Sequence, residues 1–221
     1  MQHSPDVSVI LPCAGFATRF GAPYAKELHC LAPGVTVLDR SLAPVAELAE
    51  SGLAVRLVVV IGPHKLDTVG YLARYATTFQ IVFVYQDEPG LAGAIRTALP
   101  LTCGPVALVL PDIVVSGPGS LRAAVEKAEV AGWSVVAADE PDPRVLRQMG
   151  ALAVIGGATV KAAAEKPDDP ADFNAFWGIV VAGEDEAPRL PDVVCKAAES
   201  PLAGASAVMV ERIVNYNTAA G

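Results

Sequence analysis

The residues with the most chemical potential lie in a short loop near the amino end. The loop reads Cys13-Ala14-Gly15-Phe16-Ala17-Thr18-Arg19, and Lys26 follows it. It comes directly after the apolar run Val7, Val9, Ile10 and Leu11, which has the length and β-branched character of a buried strand. Small residues let backbone N–H groups come close to an anion. An Arg adds a planar fork of donors, and a Lys adds a point charge. Together they describe a nucleotide-phosphate loop at the carboxyl end of the first strand of an open α/β sheet. Neither the Gly-Lys-Ser/Thr of a P-loop nor the glycine spacing of a dinucleotide fingerprint is present.

Other chemically able residues are spread along the chain. Gln86 and Gly90 flank a strand-to-helix turn; a side-chain amide offers paired donor and acceptor groups, and Gly admits a flat ring against the backbone. Asp112 ends an apolar strand, where an acid is either a cap for the next segment or a cation ligand, and the residues alone leave both open. Glu165-Lys166-Pro167 reads as an ordinary charged turn when taken in isolation. Asn174, Trp177 and Gly178 lie in FNAFWGIVV, a stretch that ordinary strand packing also explains. Asn215 follows the last apolar run.

The elements that must position these residues follow from periodicity. Helical spacing is predicted over residues 37–51, 66–77 and 117–132, with a short helix ending at Leu99 and a weak one over 190–201. Strands are predicted over 55–61, 81–85, 106–110, 134–138, 150–155, 159–164 and 207–214, with Gly156-Gly157 as a hairpin turn. The run 106–110 is nearly all apolar, the mark of a central parallel strand. Residues 31–34 read as a turn and 140–147 as a polar connection.

With these residues in place, the stretch from Val9 to Leu28 resembles the signature loop of the sugar-1-phosphate nucleotidylyltransferases: a strand, then Ala-Gly-x-Gly-Thr-Arg, a gap, and Pro-Lys-Glu-Leu. The variant looks most like that of UDP-glucose pyrophosphorylase and glucose-1-phosphate thymidylyltransferase. It departs at Ala17, where the family has Gly, and at Tyr24-Ala25, where Pro is common. Three later stretches match in order: Gln86 to Ala94, Leu110-Pro111-Asp112, and Glu165-Lys166-Pro167.

The resemblance implies a role for each stretch. Leu11, Ala14, Gly15, Phe16, Ala17 and Thr18 would line the nucleotide, with Arg19 and Lys26 on its phosphates. Gln86 and Gly90 would read the base. Asp112 would bind nucleotide and Mg²⁺, with Asn215 as second metal ligand where the family has Asp or, in N-acetylglucosamine-1-phosphate uridyltransferases, Asn. Glu165 would contact the sugar and Lys166 its phosphate. Asn174, Trp177 and Gly178 would form a wall of the acceptor site. The implied fold is a three-layer α/β/α sandwich with a mostly parallel central sheet, Rossmann-like, in one domain spanning 1–221. The implied reaction transfers NMP from an NTP to a sugar-1-phosphate with release of pyrophosphate.

Bulk composition sets limits. The chain has 221 residues, 52% of them hydrophobic, enough for one α/β domain with a large core. A net charge of −8 argues against a general nucleic-acid binder, which needs a basic stripe. Cys13, Cys30, Cys103 and Cys195 form no CxxC pair, so they read as small hydrophobes in a reducing compartment. The amino end shows no signal-peptide pattern and no apolar run is long enough for a membrane span, so a cytoplasmic location without membrane partners is expected. A homo-oligomer is compatible with the sequence. Two further readings stand beside the main one: a CTP-dependent cytidylyltransferase acting on a phosphonate or polyol phosphate, suggested by the compact length and the Asn215 end, and a catalytically silent nucleotide-binding paralogue. A glycosyltransferase is disfavoured, because no Asp-x-Asp follows a strand.

Overall fold

A computed structural model describes residues 4–16, 21, 24–194 and 200–216. Three of the loop residues, Ala17, Thr18 and Arg19, lie outside the described residues.

The strand that opens the loop is the middle of the sheet. In β1 (Val7–Pro12), Val7, Val9 and Leu11 point to one face and Ile10 to the other, and all four are fully buried. This period-two alternation supplies both cores of a sheet covered on its two sides. Next come a small ribbon, β2 (Cys30–Ala32) with β3 (Val35–Thr36), where the sequence predicts only a turn, and helix α1 (Val37–Glu50). The helix starts on a capping box: Thr36 accepts from the Asp39 backbone N–H, and Asp39 accepts from that of Thr36.

The chain continues through β4 (Val55–Ile61), α2 (Leu66–Leu72), β5 (Gln80–Tyr85), α3 (Gly90–Ala98), β6 (Val106–Val109), β7 (Ile113–Ser116) and α4 (Ser120–Ala131). The second half holds β8 (Trp133–Asp139), the short α5 (Pro143–Leu146), the hairpin β9 (Gly150–Ile155) and β10 (Thr159–Glu165), β11 (Ala175–Ala182), β12 (Ser206–Met209) and β13 (Arg212–Asn215). The weak helix expected over 190–201 is a run of 3-10 turns over Ala187–Val194. The segment predicted as one last strand is two, β12 and β13, in different sheets.

The sheet order is β5-β4-β1-β6-β11-β8-β12-β10-β9. The first four strands run parallel, as expected. The expectation of a mostly parallel sheet does not hold for the rest. β11 is antiparallel to β6, β8 and β9, and β10 is antiparallel to β9 and β12, leaving β8–β12 as the parallel pair in that half. Because β9 pairs with β11 as well as with β10, strands β11, β8, β12, β10 and β9 close on themselves. The physical reason is a β9–β10 hairpin, which needs no crossover helix and folds back antiparallel onto its neighbours. The protein is therefore a mixed α/β fold.

Helices α1, α2 and α4 pack on one face and α3 with the 3-10 turns on the other, in two core clusters. Among the described residues no helix is long and apolar enough to cross a membrane.

Candidate active site

The carboxyl end of β6, the start of α3, the β9–β10 hairpin and the β7–β13 ribbon surround a cleft of about 420 Å³. Its lining includes Asp112, Arg147, Met149, Gly150, Glu165, Lys166, Trp177 and Asn215.

Lys26 opens a 3-10 turn (Lys26–Leu28) and forms an ion pair with Asp112, with each side chain 16% exposed. Asp112 sits just past β6, where the chain turns into β7. That turn is pinned by two backbone bonds: Ile113 N–H donates to Leu110 O at 3.2 Å, and Tyr216 N–H donates to Asp112 O at 2.9 Å. The second bond extends the β7–β13 ladder, in which Asn215 pairs with Ile113. The ribbon thus holds Asn215 beside Asp112 although they are far apart in sequence.

The ribbon can lie close to the main sheet because β11 carries Gly178. A Cβ there would come within 2.9 Å of both Ile213 Cδ1 and Val115 Cγ2. Asn215 Nδ2 donates to Met149 Sδ at 3.3 Å, while its Oδ1 is buried without a hydrogen-bond partner among the described residues. An orphaned oxygen of this kind carries a desolvation cost that a ligand would relieve.

The opposite wall comes from the hairpin. Glu165 pairs with Gly150, and Lys166 N–H donates to Met149 O at 3.0 Å. Lys166 has φ 49°, the left-handed region that non-glycine residues seldom occupy, and its ammonium lies 3.2 Å from Glu165 Oε1. Trp177 packs directly over Gly150; a Cβ at Gly150 would fall 1.8 Å from Trp177 Nε1.

Of the residues singled out by sequence, Asp112, Glu165, Lys166, Trp177 and Asn215 line this cleft, and Lys26 joins them through its ion pair with Asp112. Leu11, Ala14, Gly15, Phe16, Gln86, Gly90, Asn174 and Gly178 are not on its lining. Asn174 is occupied within the sheet: its Oδ1 accepts from Val154 N–H at 2.8 Å and its Nδ2 donates to Val154 O at 3.0 Å. Gly178 serves the approach of the ribbon. Leu11 is fully buried in the core beneath the loop. Gly15 and Phe16 are exposed on the loop, with Phe16 stacked on His64 at 4.1 Å between ring centroids. Gln86 lies at the end of β5 and curls over its own turn, donating through Nε2 to Glu88 O and, at 2.8 Å, to Gly90 O. Gly90 takes φ 84° at the first position of α3, a conformation open to glycine.

Arg147 and Met149 were not foreseen. Arg147 follows α5 and donates through Nε to Asp168 O at 3.2 Å while lining the cleft. The available signal was an Arg just before the Met149-Gly150 strand start, inside a stretch that reads as a polar connection.

Beneath the loop, Cys13 is buried and its thiol is held well above its ordinary pKa, first by burial and then by the negative charges of Glu27 and Asp112, with Lys65 opposing. A thiol so placed stays protonated and packs as a hydrophobe.

A hard cation fits the donor set. Asp112 offers one carboxylate and Asn215 a buried amide oxygen that has no other partner among the described residues. Mg²⁺ keeps several waters and takes substrate phosphate as ligand, so it needs few protein oxygens. No group of three or more His, Cys, Asp and Glu among the described residues forms a fuller cage.

No protein-family model matches the sequence, and no curated protein matches it. Solved structures do. One, a protein from Bacillus anthracis provisionally assigned as a glucose-1-phosphate thymidylyltransferase and bound to sucrose, matches with TM-score 0.74 at 14% identity, over 97% of this chain and 91% of that one. A UDP-glucose pyrophosphorylase complexed with UDP-glucose matches with TM-score 0.75 at 16% identity, over 97% and 94%. An unliganded UDP-glucose pyrophosphorylase matches with TM-score 0.70 at 17% identity, over the same shares. The chain has the fold that these proteins share.

Proposed function

We infer, from a fold shared with glucose-1-phosphate thymidylyltransferase and UDP-glucose pyrophosphorylase structures, that this protein is a nucleotidylyltransferase acting on a phosphorylated sugar. It would transfer NMP from an NTP to a sugar-1-phosphate and release pyrophosphate. The observation that carries this reading is the meeting of Asp112, Asn215, Glu165 and Lys166 at one cleft, with Lys26 paired to Asp112, from four separate stretches of chain.

An acceptor phosphate oxygen attacks the α-phosphorus in line, a P–O bond forms, and the bond to the β-phosphate oxygen breaks. The attacking oxygen is already anionic, so no general base is required. What the protein supplies is position and charge. Arg19 and Lys26 hold the triphosphate, and Lys26 meets charge as it builds at the α-phosphate. Asp112 and Asn215 would hold Mg²⁺, which would neutralise phosphate charge. Lys166, with Arg147 nearby, orients the acceptor phosphate; Glu165 accepts from a sugar hydroxyl; Trp177 is the apolar wall. Gln86 and Gly90 face the base. The ion pair between Lys26 and Asp112 gives each charge a partner in the ligand-free protein.

The test is a pyrophosphate-release assay with Mg²⁺, the common NTPs and dTTP, crossed with hexose 1-phosphates, a polyol phosphate and a phosphonate, with products identified by mass spectrometry. A nucleoside diphosphate sugar is the expected product. Turnover with CTP and a polyol phosphate or phosphonate alone would move the acceptor to that class. Binding of NTP by calorimetry with no pyrophosphate from any pair would overturn the enzymatic reading.

A further inference from the structure

The least expected group of side chains lies beside the turn that carries Lys26. Glu27 and Lys65 are each only 3% exposed. Lys65 Nζ donates to Glu27 Oε1 at 3.0 Å and to Oε2 at 3.1 Å, and Thr68 Oγ1, itself fully buried, donates to Oε1 at 2.8 Å. A buried ion pair is weak evidence for stability, because desolvation of both charges offsets their attraction and an apolar pair of similar volume does as well. Its use must be sought in what it holds.

Glu27 is the middle residue of the 3-10 turn that Lys26 begins. The turn is only three residues long and makes local backbone bonds, Leu28 N–H to Ala25 O at 2.9 Å and His29 N–H to Lys26 O at 3.0 Å. Neither bond ties it to the sheet. The other side of the clamp is firm: Lys65 N–H donates to Gly62 O at 3.0 Å just past β4, and Val69 N–H donates to Lys65 O at 3.1 Å at the start of α2. Three hydrogen bonds from two side chains at a strand-to-helix junction therefore grip one carboxylate of a short turn. In a 3-10 turn neighbouring side chains diverge by about 120°. With Glu27 directed inward, Lys26 is directed to Asp112 and the cleft.

We infer that Glu27, gripped by Lys65 and Thr68, is a positioning residue that sets where Lys26 delivers its charge. This rests on the role given to Lys26 above. Glu27 touches no substrate; it acts through its neighbour.

The test separates position from stability. E27M/K65M replaces the ion pair by an apolar pair. Its melting temperature should fall by no more than about 10 °C, from the Thr68 hydroxyl left without its acceptor, while kcat falls about 100-fold, the cost of a displacement of roughly 1 Å in a catalytic group. In a K26A background the same two changes should alter kcat by less than about twofold, since the group they position is gone. A readout that needs no turnover is the acylation rate of Lys26 by an acetyl ester, measured by peptide mass spectrometry. It should rise several-fold in E27M/K65M, with Lys127 and Lys161 unchanged as internal controls. If the double variant does not fold, E27Q carries the same comparison, since its amide keeps one acceptor for Thr68 or Lys65 but loses the charge. Equal losses with and without Lys26, or an unchanged acylation rate, would overturn the inference. A wild-type protein without turnover on any substrate pair would fail the proposed reaction alone, and the acylation comparison would still decide this one.

Discussion

Gly150→Ala is the substitution whose consequence can be worked out furthest. The new Cβ would lie 1.8 Å from Trp177 Nε1, 2.3 Å from Cε2 and 2.6 Å from Cδ1. Carbon contacts are comfortable at about 3.5 Å, so the indole has to retreat by roughly 1.7 Å. Trp177 is 5% exposed on a strand buried along its whole length, and the open space beside it is the cleft of about 420 Å³. Overpacking of this sort costs about 1–3 kcal/mol. For a chain of this size each kcal/mol lowers the melting temperature by about 2–4 °C. The retreating ring should enter the acceptor side, cutting kcat/KM for the acceptor on the order of 100-fold while leaving the KM for NTP near its wild-type value. Thermal unfolding and initial-rate kinetics with each substrate varied in turn check both parts. In a cycle with W177L, the two substitutions together should cost less than their sum by about 0.5–3 kcal/mol. Strictly additive costs, or a rise in KM for NTP with acceptor kinetics intact, would refute the geometry on which the site is built.

Lys26→Ala should lower kcat by about 10²–10³-fold, the usual loss on removing one preorganised charge donor, with circular dichroism unchanged; pyrophosphate release near the wild-type rate would sink its assignment. Asn215→Asp adds a carboxylate beside Asp112 and should tighten Mn²⁺ binding about tenfold in a paramagnetic titration, or ~1.4 kcal/mol; unchanged binding would remove residue 215 from the cation site. Arg147→Met should raise the KM for acceptor about tenfold with little change in kcat, an effect that weakens at high salt as the charge is screened. Asp39→Ala should destabilise the fold by about 1–2 kcal/mol at neutral pH, read by urea unfolding. Burial alone would raise the Asp39 carboxyl, but hydrogen bonds from the Thr36 backbone and from Tyr71, Tyr75 and Thr36 hydroxyls outweigh it and leave the pKa lowered. The stabilisation is therefore full above the unfolded value of about 4 and is lost as pH falls through the folded value, so the gap between wild type and variant should close in acid.

Local physics was enough for much of this protein. The apolar run of β1, its break into small residues, the helical spacing of α1 and the Gly156-Gly157 hairpin are set by neighbours a few positions apart, so they can be read along the chain. The same holds for the individual residues at positions 26, 112, 165, 166 and 215, whose types announce charge or oxygen chemistry before any fold is known.

Other features depend on which distant segments pair. Nothing in residues 113–116 or 212–215 says that they form a ribbon, and without that ribbon Asn215 would not lie beside Asp112. Closure of β11, β8, β12, β10 and β9 turns a sheet that reads as parallel into a mixed one, because the alternation of apolar residues marks a strand but not its direction. Asn174 has a side chain fit for an acceptor site, yet its amide is satisfied twice by the Val154 backbone. The pairing of Glu27 with Lys65 was equally hidden: two ordinary surface-type charges become a buried clamp only when a turn and a helix start are pressed together by the core between them. Residue types and short-range periodicity carry what a chain could do; long-range pairing and packing select which of those groups share one space.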